Sequence, residues 1–277
     1  MRLRPGAPVL ARTTTELQVG LRRPVVLSTL TPAQVDFVCS LEGGRNVGAR
    51  EARLHADLLD TLGRGSMLAP EAAPTAAVRF HGAGAIAVEA ATVLARLGWS
   101  VAFVDRGRAR DHGHGAPVAT GSSVGMLAAQ RVRTAVADAT VHGADAPADL
   151  DVLITVGIPV TVQRALLTAD APHLIVACDE RGATVGPVVT PGNGPCAQCL
   201  GLHHTDRDHL WPRIVLQCET RRPRMDPLTA GLAGMLVARL ASDFASGARP
   251  SMWRVDDEGV VEVSVPDVHP DCGCSAP

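Results

Sequence analysis

Four of the chain's seven cysteines fall in two tight pairs: Cys196 and Cys199 in CAQC, and Cys272 and Cys274 in CGC, with 72 residues between the pairs. Two-residue and one-residue spacers let neighbouring thiolates turn toward one ion. Four thiolates around a tetrahedral cation leave no open position for a substrate. The chemistry open to this set is therefore structural, a closed zinc site that ties a Gly/Pro loop to a C-terminal segment. In a reducing compartment such pairs read as metal ligands rather than disulfides. Cys39, Cys178 and Cys218 stand alone in helix or strand contexts and are expected to be small core residues.

A second constellation lies in VRFHGAGAIAVEAATVLARLGWSVAFVDR, Val78 to Arg106. Gly82, Gly84 and Ala87 match GxGxxA, after a predicted strand and at the opening of a predicted helix, where the pattern has mechanical meaning. The first glycine allows the tight turn, the second lets backbone amides approach a phosphate, and the small third residue lets helix and strand pack closely. Asp105, 23 residues after Gly82 and at the end of the next strand, is placed to accept hydrogen bonds from ribose hydroxyls. The histidines in DHGHG (His112, His114) and LHHTDRDH (His203, His204, His209) show no HExxH-type spacing and are expected to be solvated loop and helix-end residues.

The elements that must position these residues alternate from Val78 onward. Strand AVRFHG, helix AIAVEAATVLARLG and strand SVAFVD come first. They are followed by helix SVGMLAAQRVRTAVADA, strand DLDVLITVG, helix TVQRALLTA and strand HLIVACD. Such alternation predicts an α/β fold with a Rossmann-like, doubly wound, mostly parallel sheet. The rhythm then breaks into a strand, the Gly/Pro loop with the first cysteine pair, a long helix capped by Asp226, and a hairpin turning at Asp256–Gly259. Ahead of all this, ELQVGL and PVVLSTL read as a hairpin. Thr31, Pro32 and Gln34 open a capped helix that ends at Gly43–Gly44, a second helix is expected over 49–62, and GRGSML closes with a turn and short strand. That is a miniature winged-helix pattern. A Pro/Ala-rich linker, Ala69–Ala77, separates residues 1–70 from 71–277.

With 277 residues, 46% of them hydrophobic, the chain can bury one sizeable α/β core plus a small accessory domain. Its net charge of −2, with signs interspersed, argues against a nucleic-acid stripe or membrane patch. No uninterrupted apolar run of about 18 residues and no signal-type apolar region is evident, so a cytoplasmic location is expected. Every one of the 26 basic residues is Arg; the absence of Lys removes any catalytic lysine.

A GxGxxA unit followed by a distant CxxC and a C-terminal CxC resembles the ThiF/MoeB-like superfamily, the adenylating relatives of ubiquitin-activating enzymes. GPVVTPGNGPCAQCLGLHHTDRDHLWP and HPDCGC are similar to the ThiF-like proteins that act with cyclodehydratases on ribosomally made peptides. The first 70 residues resemble the PqqD-type winged helix that recognises leader peptides. The resemblance implies a structural zinc on Cys196, Cys199, Cys272 and Cys274, a precursor leader peptide as ligand, a YcaO-like cyclodehydratase as partner, and a homodimer. It also implies a nucleotide site at Gly82, Gly84, Ala87 and Asp105.

That nucleotide site departs from the adenylating pattern. Those enzymes follow the ribose-binding acid with an arginine segment, use a lysine near the ATP phosphates and hold magnesium with an aspartate after the fourth strand. Here Asp105 is followed by RGRARDHGHGAP, no lysine exists, and DVLITVG runs into Ile158–Pro159. Arg106, Arg108 or Arg110 could supply one cation; nothing replaces the magnesium ligand. The expected function is thus leader-peptide binding with a vestigial nucleotide site, ATP and Mg2+ being doubtful cofactors and no catalytic residue assigned. ATP-dependent adenylation of a peptide or carrier-protein carboxylate is the enzymatic alternative. A dinucleotide oxidoreductase leaves the cysteine quartet unexplained, and DNA binding lacks a basic recognition helix.

Overall fold

The computed structural model describes residues 1–69, 75–105, 123–219 and 221–275. The chain divides into two units, Met1–Ala73 and Pro74–Pro277.

In the first unit, strands β1 (Val9–Ala11), β2 (Leu17–Val19) and β3 (Val25–Leu27) form an antiparallel sheet in that order. Helix α1 (Pro32–Ser40) starts as its sequence dictates. The Thr31 hydroxyl accepts from the Gln34 amide at 3.3 Å, and the Gln34 side chain accepts from the Thr31 amide at 2.9 Å. Pro32 loses nothing there, because its missing N–H would have had no helical partner. The single helix expected over 49–62 is two, α2 (Ala49–Leu54) and α3 (Ala56–Arg64). They part at His55, whose φ of −116° leaves the helical region and whose ring stacks on Phe37 at 3.9 Å. The expected closing strand reduces to one bridge between Leu68 and Leu3. Leu17, Val19, Leu27, Phe37, Val38, Leu59 and Leu62 form the core. Cys39, expected in that core, is exposed: it lies on the solvent side of α1 beside buried Val38.

The second unit is built on a seven-stranded sheet. Strands β4 (Ala77–His81), β5 (Ser100–Val104), β6 (Leu150–Val156) and β7 (His173–Cys178) are parallel, in the order β5-β4-β6-β7. Strands β8 (Gly182–Val189), β9 (Met252–Asp256) and β10 (Gly259–Val263) extend it antiparallel beyond β7, so five of the seven strands run one way. After β5 the chain returns to the far side of β4, which makes the β4/β6 boundary the topological switch point. The crevice beyond the strand C-termini there is where open α/β sheets bind ligands.

Helices α4 (Ala85–Arg96), α5 (Val124–Ala135) and α9 (Pro227–Ala245) cover one face, over Val78, Phe80, Phe103, Val152, Leu174 and Val176. Helix α5 stops short of the expected Ala139 because Val136 turns extended. Helix α9 is long and apolar enough to cross a membrane, with mean hydropathy 1.3, yet Ala230, Ala233, Gly234, Ala238 and Ala241 are buried within the unit. These small side chains let α9 ride close on α4: a Cβ on Gly234 would lie 2.7 Å from Glu89 Cβ and 3.0 Å from the Ile86 carbonyl. On the other face α6 (Gln163–Thr168), α7 (Ala197–Thr205) and α8 (Trp211–Cys218), the last unforeseen, enclose a second cluster of Ile158, Ile175, Val189 and Val215. Cys178 is a core thiol, pushed up to about 12 by burial, whereas Cys218 is only half-buried.

Candidate functional site

The two cysteine pairs meet. Cys196 is the N-cap residue of α7 and Cys199 lies in its first turn, both buried; Cys272 and Cys274 come from the C-terminal segment, Cys274 within a 3-10 turn at Gly273–Ser275. Their sulfurs lie 3.4 Å (Cys199–Cys274), 3.7 Å (Cys196–Cys272) and 4.0 Å (Cys196–Cys199) apart. A tetrahedral ion with bonds of about 2.3 Å needs sulfurs about 3.8 Å apart, so the residues fit a metal. Burial pushes the Cys196 and Cys272 thiols up, so thiolates gathered here need a cation to neutralise them.

His269 is the residue that sequence reasoning passed over. It is 4% exposed; its Nε2 donates to Asp206 at 3.0 Å, its Nδ1 accepts from the Asp271 amide at 3.1 Å, and its carbonyl accepts from the Cys272 amide at 2.9 Å. His203 donates to the Asp267 carbonyl at 2.9 Å and meets the His269 ring edge-on at 4.8 Å. Together they fasten the tail that carries Cys272 and Cys274 to the helix that starts at Cys196. The expectation of solvated histidines therefore fails for His203, which is half-buried and bonded to the tail. It fails also for His204, which stacks on Trp211 at 4.4 Å and is lowered by burial and by Arg207. The only visible signal was the histidine in HPDCGC itself.

At the switch point Gly82 has φ +108°, and a Cβ there would press on the Ile154 carbonyl at 3.3 Å, so this turn requires glycine. Gly84 caps α4 over open space, and buried Ala87 lets α4 pack on the sheet. Asp105 ends β5 as expected. Its carboxylate accepts from the Ala83 amide at 3.2 Å and from Arg222 Nη1 at 3.0 and 3.1 Å, and only 7% of its side chain is exposed. Arg222, from the segment after α8, was not foreseen. After β6 come Gly157, buried Ile158 and Pro159, with no acid among them. Arg106, Arg108, Arg110, His112 and His114 lie outside the described residues.

Beneath the glycine loop is a charged network that the sequence pattern does not announce. Asp151, on β6, accepts from Arg79 on β4 at 2.7 and 2.9 Å and bonds His81 Nε2 at 2.6 Å, with 2% of its side chain exposed. Burial pushes its carboxyl up, and the bonds from His81 and Arg79 more than reverse this, leaving it below its ordinary value. Removing one partner of such a buried pair leaves the other charge stranded, so Asp151→Asn is expected to cost about 3 kcal/mol at pH 7.

The pH profile follows from the same groups. A carboxyl lowered in the folded state contributes stability above its unfolded value of 3.8 and loses it as pH falls further. His173, fully buried on β7 and lowered by that burial from 6.5, acts with the same sign at higher pH, since acid must charge a buried ring. Urea unfolding should show a midpoint level from pH 8 to 7 and falling in two stages as pH drops through about 6.5 and then about 4. Asp151→Asn should flatten the second stage. A pH-independent midpoint would count against both assignments.

Parallel strands about a glycine-loop switch point, with an antiparallel extension and a cysteine quartet, make this a Rossmann-like α/β fold. Solved structures of E. coli MccB share it. The one with ATP matches at TM-score 0.62 and 14% identity, covering 99% of this chain and 98% of that one. The microcin C7 biosynthetic enzyme MccB in complex with N-formylated MccA matches at TM-score 0.63 and 14% identity, covering 99% of each. PaaA matches at TM-score 0.57 and 10% identity, over 95% of this chain and 99% of that one. No protein-family model and no curated protein matches the sequence.

Proposed function

We propose that this chain binds the leader of a ribosomally made precursor peptide and presents the adjoining core to a YcaO-like cyclodehydratase, without turning over ATP itself. The observation that carries the reading is the state of the crevice. Its one expected ribose acceptor, Asp105, is held by Arg222, and a chain without lysine has no acid after β6 to hold magnesium. Adenylation needs cations on the α-phosphate and pyrophosphate, and most of that charge is missing.

Peptide capture falls to the first unit, taken as a PqqD-like winged helix over residues 1–70. Strands β1 and β3 are its sheet edges, and an extended peptide can pair with such an edge through main-chain hydrogen bonds alone. Arg12 is neutralised by Glu16 at 2.9 Å, leaving Arg2, Arg4, Arg22 and Arg23 to favour an acidic leader. In residues 71–277 the thiolate quartet holds zinc structurally, and this part pairs with a second copy in a cytoplasmic homodimer. Zinc, when bound, supplies charge neutralisation and a cross-link; it offers no open position.

Adenylation of a peptide carboxylate is the second reading, favoured by the likeness to an MccB structure holding ATP. Affinity capture of the full chain from its native cells, with mass spectrometry, should recover a short ribosomal peptide and a cyclodehydratase. Recovery of neither would sink the leader-binding reading.

A further inference from the structure

We infer that Arg222 is a latch that holds the nucleotide crevice closed. Asp105 and Arg222 are 117 residues apart in sequence, yet Nη1 reaches both carboxylate oxygens, at 3.0 and 3.1 Å. The Ala83 amide of the glycine loop takes one of the same oxygens at 3.2 Å. A ribose diol needs those two oxygens as acceptors, and with Arg222 bound and 7% of the side chain exposed it cannot reach them.

A second tie pins the same segment beyond the end of β6, two strands away. Glu219, just past α8, accepts from the Thr161 amide at 2.8 Å, and a Cβ on Gly157 would lie 3.5 Å from Cys218 Cβ. The chain leaving α8 is therefore fixed beside the end of β6 by Cys218 and Glu219 and at the end of β5 by Arg222. Glu219 and Arg222 thus stand on either side of the switch point. A ligand that enters only the unlatched form binds more weakly by the fraction unlatched, and opening the latch exposes the Asp105 carboxylate to it.

The inference rests on the glycine loop being a nucleotide crevice, and its test keeps the two apart. Calorimetric titration of ADP and ATP into the full chain should show Arg222→Ala binding about ten-fold tighter than the unaltered protein, the scale of one partly exposed ion pair. The gain should vanish in Asp105→Ala/Arg222→Ala, where the ribose acceptor is also gone. Hydrogen exchange across Arg221–Met225 should quicken in Arg222→Ala. Equal or weaker binding by Arg222→Ala, or a gain that survives in the double variant, overturns the latch. If exchange quickens while neither protein binds nucleotide, the crevice assignment is what fails. Unchanged exchange removes the latch itself. Leader-peptide capture enters none of these readouts.

Discussion

Replacing Cys272 with Ser abolishes stoichiometric zinc binding and destabilises the second unit by more than about 4 kcal/mol, a size reserved for the loss of a metal, disulfide or buried network. The expectation follows from geometry and charge together. The sulfurs already stand near tetrahedral spacing, and the ion would bridge the first turn of α7 to a tail otherwise held mainly by His269 and its neighbours. One missing ligand leaves three cysteines that cannot close a tetrahedral site, among them Cys196, whose thiol burial pushes up, and the tail loses its strongest tie. Metal analysis of protein purified without chelator should give about one zinc per chain, none in Cys272→Ser, and an unchanged value in Cys39→Ser, which alters an exposed cysteine. An unaltered protein without zinc would refute the assignment.

Robust pyrophosphate exchange is not expected from the pure chain supplied with ATP, magnesium and its cognate peptide. Backbone amides at the start of α4 can still attract an anion, because a helix N-terminus presents unpaired N–H groups and positive dipole. Binding is a weaker demand than turnover. Turnover requires charge placed where it develops in the transition state, and losing a single such donor commonly costs about 10²–10³ in rate. Here the lysine is absent from the whole sequence, β6 is followed by Gly157-Ile158-Pro159 with no acid to hold magnesium, and Arg222 is spent on Asp105. Exchange at a rate typical of adenylating enzymes would promote the adenylyltransferase reading. Arg222 and the arginines following Asp105 would then be the first candidates for the missing cation.

Much of the second unit was legible because its signals are local. Strand and helix periods, the glycine turn and the Asp226 cap each act within a few residues, and β4 to β7 with α4 and α9 lie where the pattern put them. The meeting of the two cysteine pairs was legible too, since spacers of one and two residues let each pair turn toward a common point. In the first unit the Thr31–Gln34 capping box formed as written, but the break at His55 comes with stacking on Phe37, a contact between separate helices that no local pattern shows.

What the sequence determined by itself was thus the set of residue types: glycines where the turn needs positive φ, thiols in pairs, and no lysine anywhere. Only the tertiary structure decided which charges meet. Arg222 reaches Asp105 across 117 residues, Asp151 takes Arg79 and His81 from a neighbouring strand, and His269 clasps Asp206. No periodicity encodes such pairs, because they depend on which strand ends and helix ends the fold brings within about 3 Å, where burial makes each charge require its partner.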